Sequence, residues 1–97
     1  GRYWVCISEA AVNAYATYPM FIRFILQHEL GHIVLGHLLP TCTLSRNKQE
    51  AIADLYALEN CPLTIEEVNH MFDISDSLFG SSGNNYRRNM LVETIKR

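Results

Sequence analysis

Hydrophobic residues between Phe21 and Leu39 recur at helical spacing on more than one side of the chain. This pattern predicts one largely buried helix, because a half-exposed helix carries its apolar residues on one side only. Pro19 can occupy the first turn of such a helix, and Pro40 is expected to end it.

A second helix is predicted from about Arg46 to Asn60. Ser45 or Asn47 is its expected N-cap, since both side chains can accept a hydrogen bond from the first turn. The residue before a proline is biased away from helical dihedrals, so we expect this helix to stop before Pro62.

Polar residues predict the secondary-structure elements of the C-terminal part of the chain. Thr64 and Glu67 have the spacing of a capping box, which predicts a short third helix ending near Phe72. The elements expected after it are a turn at 73–75, a loop at 81–85 and a last helix over 86–96.

The N-terminal segment Arg2–Ser8 predicts a short strand, because aromatic and β-branched residues dominate it and its side chains alternate. The next residues, 8–18, allow two interpretations. Four alanines favour a helix, whereas Asn13 and the residues just before Pro19 favour a loop or a second short strand.

The length and charge of the chain limit the class of protein to which it can belong. The 97 residues fit a single domain, 1–97, and 48% of them are apolar, which is enough for a small core. The net charge of -2 argues against a nucleic-acid binder, which usually carries a basic excess. Basic residues do cluster near the C-terminus, and we interpret them as a solvated helix face: Arg87, Arg88, Lys96 and Arg97.

The three cysteines, Cys6, Cys42 and Cys61, are odd in number and lack C-x-x-C spacing. This argues against a secreted disulfide framework and predicts a reducing compartment, the cytoplasm. Charged and histidine residues interrupt the most apolar stretch, so no membrane span is expected.

The most informative motif is His28-Glu29-Leu30-Gly31-His32, an H-E-x-x-H pattern on the first long helix. Residues four apart lie one turn above each other on the same helix face, so both imidazoles can reach one Zn²⁺ ion. Glu29 follows the first ligand and can take a proton from a water on the metal. It is the predicted catalytic residue.

A catalytic zinc site usually has three protein ligands and one open position. Glu50, on the second helix, is the predicted third ligand. Asp54 lies one turn later and is predicted to accept a hydrogen bond from the far nitrogen of a ligand histidine, which would fix the tautomer of that ring.

Other polar residues receive weaker assignments. His37 would be rotated by about 140° from His32 on a continuous helix, so we expect it away from the metal. His70 is expected at the surface. Four residues are candidate stabilisers of a developing oxyanion, although packing or surface charge is the simpler role for each: Tyr56, Tyr86, Arg87 and Arg88.

These motifs carry a family resemblance. The run from His28 to His37, followed by Glu50-x-x-Ala-Asp54, resembles the ImmA/IrrE family of zinc metallopeptidases. Residues 64–75 are similar to the C-terminal helical part of that family, and the resemblance extends from about Trp4 to Arg88.

The resemblance implies an α+β, zincin-like fold. A small N-terminal β-sheet would accompany the H-E-x-x-H helix, the second ligand-bearing helix and the C-terminal helices. It also implies a cytoplasmic zinc metalloendopeptidase whose protein substrate is a repressor-type regulator of the helix-turn-helix class, and hence a role in transcription regulation. We expect no direct contact with nucleic acid; the cleavage site and oligomeric state are open.

Two alternatives belong to other classes. Residues 64–88 have some look of a helix-turn-helix with Ile74 and Ser75 in its turn, but the would-be recognition segment is acidic and lacks side chains that read base edges. The second alternative is a metal-bound interaction module without catalysis. Glu29 argues against it, since a structural site needs no base and is usually closed by four ligands.

Overall fold

The computed structural model describes residues 7–37, 39–80 and 84–97. The regular elements within these ranges are five helices: α1 Glu9–Ala14, α2 Pro19–Val34, α3 Arg46–Asn60, α4 Ile65–Phe79 and α5 Asn84–Lys96. No described residue belongs to a strand. The predicted α+β, zincin-like fold with a small N-terminal sheet is therefore wrong, and the described chain is all-helical.

The correction has a local cause at the N-terminus. Residues 2–6 of the predicted strand lie outside the described ranges, and the residues that follow, 7 and 8, belong to no strand. The Ser8 hydroxyl accepts a hydrogen bond from the Ala11 amide at 3.1 Å and caps α1. The short helix turns Ala11 and Tyr15 into the core, so the segment with two possible interpretations is helical.

The beginnings of α2 and α3 follow the predicted signals. Pro19 occupies the first turn of α2, where its missing amide hydrogen is not needed. Ser45 caps α3 by accepting from the Lys48 amide at 3.4 Å, which confirms both the helix and one of its two candidate caps. The predicted bounds of α3 are also confirmed.

The end of α2 differs from the prediction. The helix stops at Val34, because Gly36 adopts φ +75°, a left-handed conformation that ends helices. The amide of His37 donates to the His32 carbonyl and that of Gly36 donates to the Ile33 carbonyl, the two bonds of a Schellman motif. The helix therefore ends six residues before Pro40, and the reversal at Gly36 moves His37 off the helix.

The capping box at the start of α4 is confirmed in both directions. The Thr64 hydroxyl accepts from the Glu67 amide at 3.1 Å, and the Glu67 carboxylate accepts from the Thr64 amide at 2.9 Å. The helix then continues through the predicted turn at 73–75 to Phe79. A helix-turn-helix with its turn at Ile74 and Ser75 does not fit this continuous helix.

The core contains apolar side chains from all five helices and from the segments that follow α1 and α3. Phe21 and Phe24 of α2 are each only 1% exposed and pack with residues of the other helices: Ala11, Tyr15, Ala57, Leu63, Val68, Met71, Phe72 and Leu91. The opposite side of α2 is more exposed than predicted, since Val34 is 58% accessible. Within the described ranges, no helix is long and apolar enough to cross a membrane.

Candidate metal centre

The candidate site lies where α2 and α3 pack along each other. Gly31, in the H-E-x-x-H turn of α2, is buried against the ring of Tyr56 from α3. A Cβ atom at position 31 would lie 3.0 Å from Tyr56 Cδ1, tighter than ordinary packing allows. On the α3 side of the pair, Ala53 and Ala57 are fully buried. Small residues thus bring the two ligand-bearing helices close together.

His28, His32 and Glu50 converge on one point, and this group could hold a metal ion. The Nε2 atoms of His28 and His32 are 3.1 Å apart. Glu50 places one carboxylate oxygen 2.9 Å from His28 Nε2 and the other 3.4 Å from His32 Nε2. Two ligands about 2.0–2.1 Å from a tetrahedral zinc ion lie about 3.3 Å from each other, so the three donors fit.

The other ring nitrogen of His28 is held by Asp54. His28 Nδ1 lies 2.7 Å from Asp54 Oδ1, and Asp54 is completely buried. An ionised carboxylate can only accept, so His28 Nδ1 carries the hydrogen. In the neutral ring Nε2 then presents its lone pair to the shared point, which is the arrangement a metal ligand requires.

His37 holds His32 in the same way. The chain reversal at Gly36 places His37 Nδ1 2.9 Å from His32 Nδ1, and the His37 side chain is buried. If His32 Nδ1 donates, its Nε2 presents a lone pair as His28 does. The prediction that His37 points away assumed a helix continuing past Val34. The signal that could have corrected it is Gly36, a helix-ending residue directly before the histidine.

Charges around the site shift its pKa values strongly. Burial lowers the pKa of His28, but hydrogen bonds to Asp54 and Glu50 outweigh burial and raise it to about 9. The hydrogen bond from His28 is the main cause that lowers the pKa of Glu50 to about 2. Burial and the neighbouring charge of His28 lower the pKa of His32.

Arg87 of α5 completes the polar cluster from a third helix. Its Nε and Nη2 atoms donate to the two oxygens of Asp54 at 2.7 and 2.8 Å, and its Nη1 atom lies 4.0 Å from Glu50. This two-bonded contact outweighs the burial of Asp54 and keeps the pKa of that carboxyl below its usual value. The sequence suggested Arg87 as a candidate oxyanion stabiliser. In the structure, two of its three guanidinium nitrogens donate hydrogen bonds to Asp54.

A pocket of about 200 Å³ opens beside the three donors. His28, Glu29, Glu50 and Arg87 form its polar edge. Glu29 is partly exposed there, next to the first ligand histidine, as expected for a group that meets solvent and substrate. The space gives a water or a substrate access to the ligand cluster.

The remaining candidates make other contacts and do not line the pocket. Tyr86 is 46% exposed, and Arg88 pairs with Asp73 and Asp76 on α4. Tyr56 packs on Gly31. His70 is exposed and its ring stacks edge-on against Tyr18, with centroids 4.8 Å apart. The described residues therefore offer no oxyanion donor from this group beyond Arg87.

Comparisons with protein-family models, with curated proteins and with solved structures find no match. The resemblance to the ImmA/IrrE family therefore stays a prediction based on motifs.

Proposed function

We propose that this protein is a zinc-dependent metallopeptidase that hydrolyses a peptide bond in a protein substrate. The convergence of His28, His32 and Glu50 on one point, with a pocket opening beside them, supports the proposal most directly. The chemistry of the donors favours zinc, since two imidazoles and one carboxylate are the ligand set of several zinc peptidases.

Each protein group has a distinct task in the proposed reaction. When bound, zinc would acidify a water molecule and polarise the scissile carbonyl as a Lewis acid. Glu29, on the pocket edge, takes the proton from that water and later donates it to the leaving amine. Asp54 keeps the hydrogen on His28 Nδ1, and His37 orients His32.

The resemblance to the ImmA/IrrE family suggests the biological setting. By that resemblance the substrate is a repressor-type regulator and the reaction takes place in the cytoplasm. Cys42 and Cys61 are both free, which is compatible with a reducing compartment.

The main competing function is a metal-bound interaction module without catalysis. Glu29 lies on the edge of an open pocket beside the ligands, and a purely structural site has no use for either feature. The proposed peptidase accounts for both.

The test compares Glu29→Gln with wild type and with Glu59→Gln, an exposed acid on α3. Glu29→Gln should bind zinc normally but lose at least about 100-fold in cleavage rate, because the general base is gone. Glu59→Gln should cleave like wild type. Zinc-loaded proteins are incubated with a mixed peptide library and with helix-turn-helix repressors, and products are identified by mass spectrometry. Equal cleavage by Glu29→Gln and wild type would contradict the mechanism.

A further inference from the structure

The pocket beside the ligand cluster has two chemically different parts. Its edge is polar, but the rest, apart from Ser75, is formed by aromatic and aliphatic side chains from α2, α4 and the turn after α1: Tyr15, Phe24, Ile25, Met71, Phe72 and Phe79. Four of these six are buried in the core, so the deep end is apolar and rigid. Phe79 is 61% exposed and stands at the opening.

Two polar groups that reach this pocket beyond its carboxylate edge, those of Tyr15 and Arg87, already have partners; the third, Ser75, offers one hydroxyl. The Tyr15 hydroxyl donates to the Met71 carbonyl at 3.3 Å, and Arg87 donates to Asp54. A polar group entering the deep part would lose its hydrogen bonds to water and gain few in return. The pocket therefore favours an apolar occupant.

The size of the pocket indicates what kind of apolar group fits. At about 200 Å³ it is smaller than the roughly 300–1,000 Å³ typical of small-molecule sites. It is larger than an apolar cavity of about 150 Å³ that binds benzene. One aromatic or branched aliphatic side chain matches this volume, whereas a cofactor does not.

We propose that this pocket binds the side chain of a substrate residue next to the bond to be cut, and that it selects Phe, Leu, Ile or Met there. The inference rests on the proposed function, because the edge that holds Glu29 and the metal ligands would then meet the backbone of the same residue. Substrates with a small or charged side chain at this position are cleaved poorly.

One experiment uses two hydroxamates with the same metal-binding head. N-hydroxy-3-phenylpropanamide carries a phenyl ring, and N-hydroxypropanamide does not. We expect the phenyl compound to bind zinc-loaded wild-type protein at least about tenfold more tightly in calorimetry. Equal affinities would overturn the proposal.

Two pairs of variants locate the effect in the pocket. Ser75→Phe fills the space from α4, whereas Ser77→Phe places the same ring on the exposed side of that helix. Phe79→Ala removes the ring at the opening, and Leu78→Ala trims an exposed neighbour that does not line the pocket. The phenyl preference should fall in Ser75→Phe and Phe79→Ala and persist in both controls. Because Phe79 is exposed, its variant should fold even if Ser75→Phe does not.

A metal-free measurement separates failure of the pocket from failure of the proposed function. Benzyl alcohol is added to wild-type protein without zinc, and the Met71 methyl resonance is followed by NMR. We expect a saturable shift that Ser75→Phe or Phe79→Ala weakens and the controls keep. If neither hydroxamate binds, the proposed metal function fails, and the benzyl alcohol result alone supports or overturns the pocket.

Discussion

The two histidines that could hold a metal, His28 and His32, each have a partner on Nδ1, but the partners differ in kind. Asp54 carries a full charge and is bound in turn by Arg87, whereas His37 is a second imidazole. Both partners orient the rings so that each Nε2 faces the shared point. Because the pKa of His28 is raised to about 9, its Nε2 still carries a hydrogen at neutral pH in the metal-free protein, and binding a metal must displace that hydrogen. Hydrogen bonds to Asp54 and Glu50 raise the pKa of His28, whereas burial and the charge of His28 are the main causes that lower the pKa of His32.

Removal of the His37 imidazole should weaken zinc binding. His37→Ala leaves His32 Nδ1 without its partner, and loss of such a partner typically costs about 10–100-fold in metal affinity. Competition with a chromophoric chelator measures the change. His70→Ala removes an exposed imidazole outside the site and is the control. Wild-type affinity in His37→Ala would show that His32 does not depend on His37.

The pKa of His28 predicts how the stability of the metal-free protein varies with pH. Because the folded-state pKa is raised from 6.5 to about 9, this contribution is complete below pH 6.5 and is lost as pH rises through about 9. The pKa values of Glu50, Asp54 and His32 are lowered in the folded protein, so these groups change its stability with pH in the opposite direction. Their contributions are lost as pH falls through the folded-state values, so stability should be highest near pH 6.5.

Urea unfolding of the metal-free protein at several pH values tests this profile. The free energy of unfolding should fall between pH 6.5 and 9.5 by at most about 3 kcal/mol, the limit set by the His28 shift. His28→Gln should lose most of this alkaline decrease. An equal decrease in the variant would assign it to other groups.

At the scale of elements, the close approach of α2 and α3 determines whether the three donors can meet. Glu50 comes from α3 and both histidines come from α2, so a change in helix separation alters all three distances together. Gly31 lies in the same turn as the ligands and has the Tyr56 ring directly against it.

Gly31→Ala tests this dependence. The new methyl would meet three atoms of Tyr56 at 3.0–3.3 Å, including Cβ, which cannot simply rotate away. Such overpacking typically costs about 1–3 kcal/mol, partly offset by the better helix propensity of alanine. We expect lower thermal stability and weaker zinc binding. Tyr56→Gly in the same chain removes all three contacting atoms and should restore zinc affinity more than Tyr56→Ala, which keeps Cβ; no recovery in either would place the cause elsewhere.

The helices also show which sequence signals are sufficient to predict where an element begins and ends. The α3 bounds and the capping box at Thr64 were predictable because each depends on hydrogen bonds within four residues. The turn expected at 73–75 was wrong because tertiary contacts override local turn preference. Ile74 packs against the core, and Asp76 accepts a hydrogen bond from Asn84 of α5. Periodicity likewise could not reveal the end of α2, which depends on the conformation of Gly36.

The candidate site was more predictable than the fold. His28, His32, Glu50 and Asp54 lie on two helices at spacings of four residues, so helical geometry alone brings each pair to one face. The expected sheet relied on the seven residues Arg2–Ser8 and on family resemblance, and neither describes what packs against α2. The role of His37 depends on a chain reversal that only Gly36 signals, and the role of Arg87 depends on the docking of α5, which no local pattern encodes.

Across the whole molecule, Arg87 connects the last helix to the ligand cluster. The connection runs from α5 through Arg87 and the buried Asp54 to His28 on α2, and every contact along it is 2.7–2.8 Å. Arg87 also lies over the Phe72 ring of α4, 5.3 Å from its centroid. Four sequence segments therefore meet around one carboxylate, and stability and metal binding should be linked through it.

Arg87→Ala should break this connection. Asp54 would remain buried without its bidentate partner, and breaking such a pair typically costs about 3–5 kcal/mol. Arg88→Ala is the matched control, since Arg88 is similarly accessible but pairs with the more exposed Asp73 and Asp76. This control should cost about 1 kcal/mol or less.

Zinc should also slow amide hydrogen exchange in α5 of the wild-type protein, because a bound ion stabilises the His28–Asp54–Arg87 arrangement. Arg87→Ala should lose this zinc-dependent protection while Arg88→Ala keeps it. If zinc protects α5 equally in both variants, the C-terminal helix is coupled to the metal centre by contacts other than Arg87.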